Sequence, residues 1–259
     1  MKTLKVIKIG GNIINNEVGL LSFLKGFSRL NGPKILVHGG GKLASDLSNK
    51  MNIPVQLIDG RRVTNAETLD IITMVYAGKI NKNIVAKLQS FGCNSVGFTG
   101  ADGNTIIANK RSETPINYGF AGDVVKVDIS ILKILINNNI TNIFSAISHD
   151  EKGQLLNTNA DTIASELAIA FSNDYKVELY YCFEKKGVLQ HTNDENSVIK
   201  KINNQTYIEL KKSNIINEGM IPKLDNCFYA LDHNVSKVCI GQPTMLFDHH
   251  SNFTTIQKL

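Results

Sequence analysis

The residues with the most chemical promise are a lysine and a set of glycines. Lys8 stands directly before the Gly10-Gly11 pair in "VIKIGGNII" (Val6 to Ile14), and Gly39, Gly40 and Gly41 follow His38 in "LVHGGGKLASDL" (Leu36 to Leu47). Each glycine run lies between an apolar β-branched segment and a segment of helical period. Glycine lets the main chain approach an anion closely, because no Cβ intervenes. The amides that open a helix, together with its dipole, favour negative charge. Neither loop is a Walker A motif, since Gly41-Lys42 is followed by Leu43 rather than Ser or Thr. Neither is G-x-G-x-x-G. Two such turns on adjacent parallel strands would open into one crevice. One would hold the phosphates of a donor nucleotide and the other an acceptor. That geometry suits phosphoryl transfer, whose catalysis is mainly positioning and charge neutralisation. A lysine at a strand end beside a glycine turn is well placed for phosphate, and Asp161, at the start of a later helical segment, complements that helix's dipole.

The elements that position these residues follow from hydrophobic period. "LKVIKI" (Leu4 to Ile9) and "KILVH" (Lys34 to His38) read as strands, with helices over Glu17 to Leu30 and Gly41 to Asn52. Leu69, Ile72, Val75, Tyr76, Ile80 and Ile84 predict one or two helices within Ala66 to Phe91. This helix reads as apolar on every side. "NSVGFTG" and "TNIFSAI" (Thr141 to Ile147) read as strands, Thr114 to Asp128 as a hairpin, and Ala160 to Phe171 as a helix. After Asn173 the pattern restarts with the strand "KVELYYCF", helices from about Gln205 to Asn214 and Met220 to Leu231, and the strand "SKVCIG". Such alternation predicts an α/β fold, an αβα sandwich around a mainly parallel central sheet. It predicts two lobes, residues 1–173 and 174–259.

Composition bounds the function. The 259 residues are 42% hydrophobic and 20% charged, enough for a large core without staples. The four cysteines, Cys93, Cys182, Cys227 and Cys239, form no C-x-x-C pair and read as reduced cytoplasmic thiols. Lysines interrupt the opening "MKTLKVIKIGG", which is therefore no signal peptide. No stretch approaches the ~18–20 apolar residues of a membrane span. The net charge of +5 comes with no tryptophan and with basic residues only in pairs, so neither nucleic acid nor membrane is an expected partner. The histidines show no metal-ligand spacing, and no metal site is expected in the protein itself.

The stretches "KIGGN" (Lys8 to Asn12), "VHGGGK" (Val37 to Lys42), "GRRVT" (Gly60 to Thr64), "NTNADTIAS" (Asn157 to Ser165) and "EGMIPKL" (Glu218 to Leu224) occur in this order along the chain. Together they resemble the amino-acid kinase family, and "GxRVT" and "NxNAD" resemble its acylglutamate kinase branch. The resemblance implies ATP-dependent phosphorylation of the γ-carboxylate of an N-acylated glutamate, giving an acyl phosphate in the arginine-building route. It implies that Lys8 bridges donor and transferring phosphate, that Lys223 neutralises the ADP leaving group, and that Asp161 fixes both lysines. A glutamate carboxylate is already ionised at neutral pH, so no general base is required.

On the acceptor side, the resemblance assigns Arg62 to the substrate's α-carboxylate, through the bidentate fork that guanidinium offers. Asn157 joins it there, and Gly40 and Gly41 supply amides. Asn159 reads equally as a helix cap. Gly10 and Gly11 face the phosphates, while Glu184, Gly187, Ile215, Ile216 and Asn217 fall at nucleotide-binding positions. One departure stands out: the family's Ser/Thr-Asp-Val-x-Gly is replaced in "YCFEKKGVL", where Phe183 and Glu184 take the Ser/Thr-Asp places. Mg²⁺ is expected to ride on the nucleotide phosphates. The first strand comes almost at once, and the additional N-terminal helix of arginine-inhibited relatives, with its feedback, is not expected. A homodimer formed through the helix from Ala66 is therefore expected. The alternatives are a family member acting on carbamate, glutamate, aspartate or a nucleoside monophosphate, or a non-catalytic sensor of small anions. The hairpin around Gly119 to Gly122 reads as a lid that excludes water.

Overall fold

A computed structural model describes residues 1–58, 60–216, 220–248 and 250–258. Its backbone is an eight-stranded sheet in the order Lys201–Ile202, Thr254–Ile256, Lys237–Gly241, Lys176–Cys182, Thr3–Ile9, Lys34–His38, Thr141–Ser145, Ser95–Phe98. All neighbours run parallel except Lys237–Gly241 against Thr254–Ile256. Helices cover both faces. Buried parallel strands need apolar side chains on both faces, and Lys34–His38 is buried along its whole length.

Four strands come from before residue 173 and four from after it. The two halves meet where Thr3–Ile9 pairs with Lys176–Cys182, in the register Lys8 to Tyr181 and Ile9 to Cys182. From this pair the chain winds outward in opposite directions, so a crevice opens at the carboxyl ends of these two strands. Side chains of period two place Leu4, Val6 and Lys8 on one face. There Leu4 and Val6 join the core under helix Ala160–Phe171 and helix Ile221–Asp232. Ile7 and Ile9 face the other core, under helices Glu17–Ser28 and Gly41–Lys50 and the helical run from Ala66.

Three segments differ from their sequence reading. The hairpin expected over Thr114 to Asp128 pairs Ile106–Lys110 with Gly122–Val127, and the residues between are its loop. Polar residues and left-handed Gly119 suit a loop rather than a strand. The strand expected over Thr141 to Ile147 divides at Ala146. Thr141–Ser145 stays in the large sheet, and Ile147–His149 joins a four-stranded sheet with Leu155–Asn157, Ile106–Lys110 and Gly122–Val127. The run from Ala66 is helical to Ser90, but its middle, Thr73–Ile80, is a π-helix. It is not apolar all round. Leu69, Ile72, Tyr76, Ile80, Ile84 and Leu88 turn inward, while Glu67, Asp70, Met74 and Lys82 are exposed.

Candidate active site

Lys8 rises from the end of the first strand toward the first turn of helix Ala160–Phe171. That helix starts where it does because the Asn159 side chain accepts from the amides of Asp161 and Thr162. Asn159 is thus the N-cap, and it presents Asp161 at the helix mouth. Lys223 comes from the third element, helix Ile221–Asp232, whose Pro222 fits the opening turn. The three side chains meet. Lys8 Nζ lies 2.7 Å from Asp161 Oδ1 and Lys223 Nζ 2.6 Å from Oδ2. Each is about 15% exposed, at 14% for Lys8, 16% for Asp161 and 15% for Lys223. Burial alone would raise the Asp161 carboxyl, but the two ammonium groups outweigh it and hold it below the usual carboxylate range. Burial holds Lys8 below the ordinary lysine range, with Asp161 opposing and Lys223 adding to that effect. The cluster carries two positive charges against one negative, a surplus suited to a polyanion.

Both glycine turns flank this cluster. Lys8 registers with Val37 and Ile9 with His38, so Gly10 and Gly39 leave neighbouring strands at one level. The Gly10 amide donates to Cys182 O at 3.1 Å, which ties the turn to the strand beside it. Of the two glycines expected at the phosphates, Gly11 is therefore the one that leads its helix with an amide beyond the reach of the intrahelical ladder. Gly40 N-caps helix Gly41–Lys50 and is compelled by close approach. A Cβ there would strike the Tyr76 ring and Ile80, both from the π-helical turn. His38 is buried and neutral, its ring lowered to about 4 by burial. It donates from Nδ1 to Gly39 O at 2.9 Å, and Asn81 Nδ2 donates to its Nε2 at 3.1 Å. Asn81 is held in turn by Ile143 O at 2.9 Å. This histidine braces the loop.

Of the residues expected around an acceptor, Arg62 donates from Nη2 to Gly41 O at 2.9 Å and to Ser45 Oγ at 2.6 Å. Among the described residues its Nη1 is buried without a hydrogen-bond partner. A guanidinium nitrogen in that condition is a strong donor awaiting an acceptor. Asn157 donates to Thr64 Oγ1 at 3.0 Å, and its amide donates to Phe120 O at 2.8 Å. Thr64 exchanges backbone hydrogen bonds with Tyr118 and Phe120. The "GRRVT" segment, the loop before Gly122–Val127 and the approach to Asp161 are thereby laced together.

The positions expected at the nucleotide are more dispersed. Glu184 offers its carbonyl to Gln242 Nε2 at 2.8 Å. Gly187 is packed so closely on Thr254 and Val198 that a side chain would not fit. Ile215 lines a cleft of about 360 Å³ with Gln190, His191 and Asn214. The Ile216 side chain belongs to the core. Asn217, with Glu218 and Gly219 of its motif, lies outside the described residues, as does His249. A larger cleft of about 680 Å³ opens at the amino ends of the strands, away from the lysine pair. Its buried Lys34 is satisfied by Ser28 O and Leu30 O. Tyr76, Ser45, Thr64 and Tyr181 escape a sequence reading, because spacing does not reveal which turns converge. The period of two, which places Tyr181 beside Lys8 once the register is known, is the nearest signal.

The amino acid kinase family pattern matches residues 3–242. The chain belongs to the amino acid kinase family. It is 54% identical over 249 residues to the acetylglutamate kinase of Cytophaga hutchinsonii, covering 96% of this chain and 94% of that protein. It is 46% identical over 255 residues to the acetylglutamate kinase of Bacteroides thetaiotaomicron, covering 98% of each. Within the family it therefore falls in the acetylglutamate kinase branch. Among solved structures, smu.665 of Streptococcus mutans UA159 superimposes with a TM-score of 0.80 at 26% identity over 98% of each chain. The carbamate kinase of Giardia lamblia bound to AMP-PNP shares the fold, with a TM-score of 0.72 at 14% identity over 100% of this chain and 99% of that one.

Proposed function

We propose that this protein transfers the γ-phosphoryl group of ATP to the γ-carboxylate of N-acetyl-L-glutamate, the step that makes an acyl phosphate in arginine biosynthesis. The observation that carries the reading is the meeting of Lys8 and Lys223, from separate elements, on the single carboxylate of Asp161. Two anions must be brought together, and the surplus positive charge offsets their repulsion. A carboxylate oxygen of the acceptor attacks the γ-phosphorus, the bond to the β-phosphate oxygen breaks, and ADP leaves. The acceptor is already ionised, so no proton is abstracted. Lys8 follows the transferring group, Lys223 takes the charge that grows on the β-phosphate, and Asp161 keeps both ammonium groups oriented. The Gly11 amide completes the donor side.

Arg62 receives the α-carboxylate on Nη1, with Asn157, Gly40 and Gly41 around the acceptor. Mg²⁺ would supply further charge neutralisation and would be held mainly by the nucleotide phosphates. Both oxygens of Asp161 face lysines, and among the described residues no group of three His, Cys, Asp or Glu side chains could hold a metal. Residues 1–173 serve the acceptor and residues 174–259 the nucleotide, with Glu184, Gly187 and the segment from Ile215 on that side. The loop before Gly122 closes the site against water.

The protein acts in the cytoplasm as a homodimer. All four cysteines are free, and among the described residues no helix is long and apolar enough to cross a membrane. Met74, 52% exposed on the helical run from Ala66, is the apolar anchor for a second copy.

The test is ADP release with N-acetylglutamate, N-succinylglutamate, free glutamate and carbamate, with hydroxylamine trapping of the product. N-Acetylglutamate should support turnover and yield a hydroxamate. Turnover with carbamate alone, or ADP release without hydroxamate, would refute the proposal.

A further inference from the structure

Tyr181 is 1% exposed and heads the fully buried side chains in size. A tyrosine placed there must satisfy its hydroxyl, and it does so by donating to the main-chain carbonyl of Asp161 at 3.1 Å. The ring has a second neighbour. Lys223 Nζ stands over its face, 5.1 Å from the centroid. On the adjacent strand Lys8 is its register partner, so both side chains leave the same face of the sheet toward Asp161. The tyrosine thus lies beside one lysine, beneath the other, and in contact with the carboxylate residue that joins them.

Asp161 offers one negative charge to two ammonium groups. The electron-rich face of Tyr181 is a further partner for Lys223, and such a contact is stronger where water is scarce. Lys8 has no ring over which to sit among the described residues. The two lysines are therefore held by different means. When phosphates compete with Asp161 for both cations, the ring still restrains Lys223, whereas Lys8 is released toward the group in flight.

We propose that Tyr181 is a positioning residue for the transfer, its ring holding the Lys223 ammonium at the leaving-group side while Asp161 is shared. This rests on the functional reading above. A purely structural role would come from volume, so the test keeps volume nearly constant and varies the π face. Tyr181→Phe, which removes the hydroxyl, sets the baseline. Phenylalanines carrying one, two and three fluorines at position 181 then weaken the ring's negative face stepwise. Across the series kcat with N-acetylglutamate should fall about tenfold and the ADP dissociation constant should rise. Tm should hold at the Tyr181→Phe value and KM for the acceptor should stay level, because Arg62 is untouched.

A kcat and ADP affinity that are flat across the series, or that track Tm instead of fluorination, would overturn the proposal. If the wild-type protein turns over no acylglutamate, the functional reading fails on that measurement. The ADP dissociation constants across the series then decide the role of Tyr181 separately.

Discussion

Replacing Asp161 by asparagine removes the one negative charge between Lys8 and Lys223 while nearly preserving shape. At nitrogen–oxygen separations of 2.7 and 2.6 Å, each pair gains about 6 kcal/mol at an effective dielectric constant near 20. Repulsion between the two ammonium groups and the desolvation of three charges cancel much of that gain. What the variant leaves is two poorly solvated cations facing each other, and orphaning a buried ionic partner costs about 3–5 kcal/mol. Asp161→Asn should therefore unfold in urea with stability lowered by about 3–5 kcal/mol, followed by circular dichroism because the chain has no tryptophan.

Turnover should drop by a factor on the order of 10²–10³, yet ADP should bind at least as well, since its phosphates meet two unpaired cations. The pH dependence has a definite sign. The Asp161 carboxyl is depressed in the folded state, where the lysines outweigh the burial that would raise it. Its stabilisation is therefore complete above the unfolded value of about 3.9 and disappears as the pH falls through the lower folded value. The gap between wild type and variant should be level from about pH 5 to 7 and close in stronger acid. A kcat within threefold of wild type, or a stability change under about 1 kcal/mol, would refute the role assigned to this carboxylate.

Other outcomes follow from the same site. Arg62→Lys keeps the charge but loses the fork, so KM for N-acetylglutamate should rise about 10–100-fold with little change in kcat, measured by steady-state ADP release. Gly40→Ala drives a methyl into Tyr76 and Ile80 and should cost about 1–3 kcal/mol in urea unfolding, with lower activity in the ADP-release assay. His38 is lowered from 6.5 to about 4 by burial, so the unfolded chain takes up a proton that the folded one refuses. Stability should fall as the pH drops from about 6.5 toward 4, by at most about 3 kcal/mol. Urea unfolding of His38→Asn over the same range should lack that component.

The alternation of β-branched runs with helical periods was enough to announce a parallel α/β sandwich, because buried parallel strands and amphipathic helices write different repeats. Lys8 and the two glycine turns were visible for the same reason, since each lies where one repeat gives way to the other. Lys223 was not visible from residue types, because a helical lysine carries no mark of what it faces. Only the motif resemblance singled it out. The homogeneous apolar pattern from Ala66 hid both its polar outer face and the π-helical turn. That turn depends on what Tyr76 and Ile80 pack against, and Gly40 is remote in sequence. Likewise Ala146, where one expected strand divides between two sheets, is marked by nothing local.

Local sequence thus determined the elements, the glycine turns and the N-cap at Asn159, all of which arise from interactions within a few residues. Tertiary structure alone decided that Lys8, Tyr181, Asp161 and Lys223 share one small volume, that the Gly10 amide is spent on Cys182, and that one nitrogen of Arg62 is left without a hydrogen-bond partner among the described residues. These depend on strand register and helix phase, which are set by how the whole sheet and its covering helices pack, over separations that no short repeat can encode.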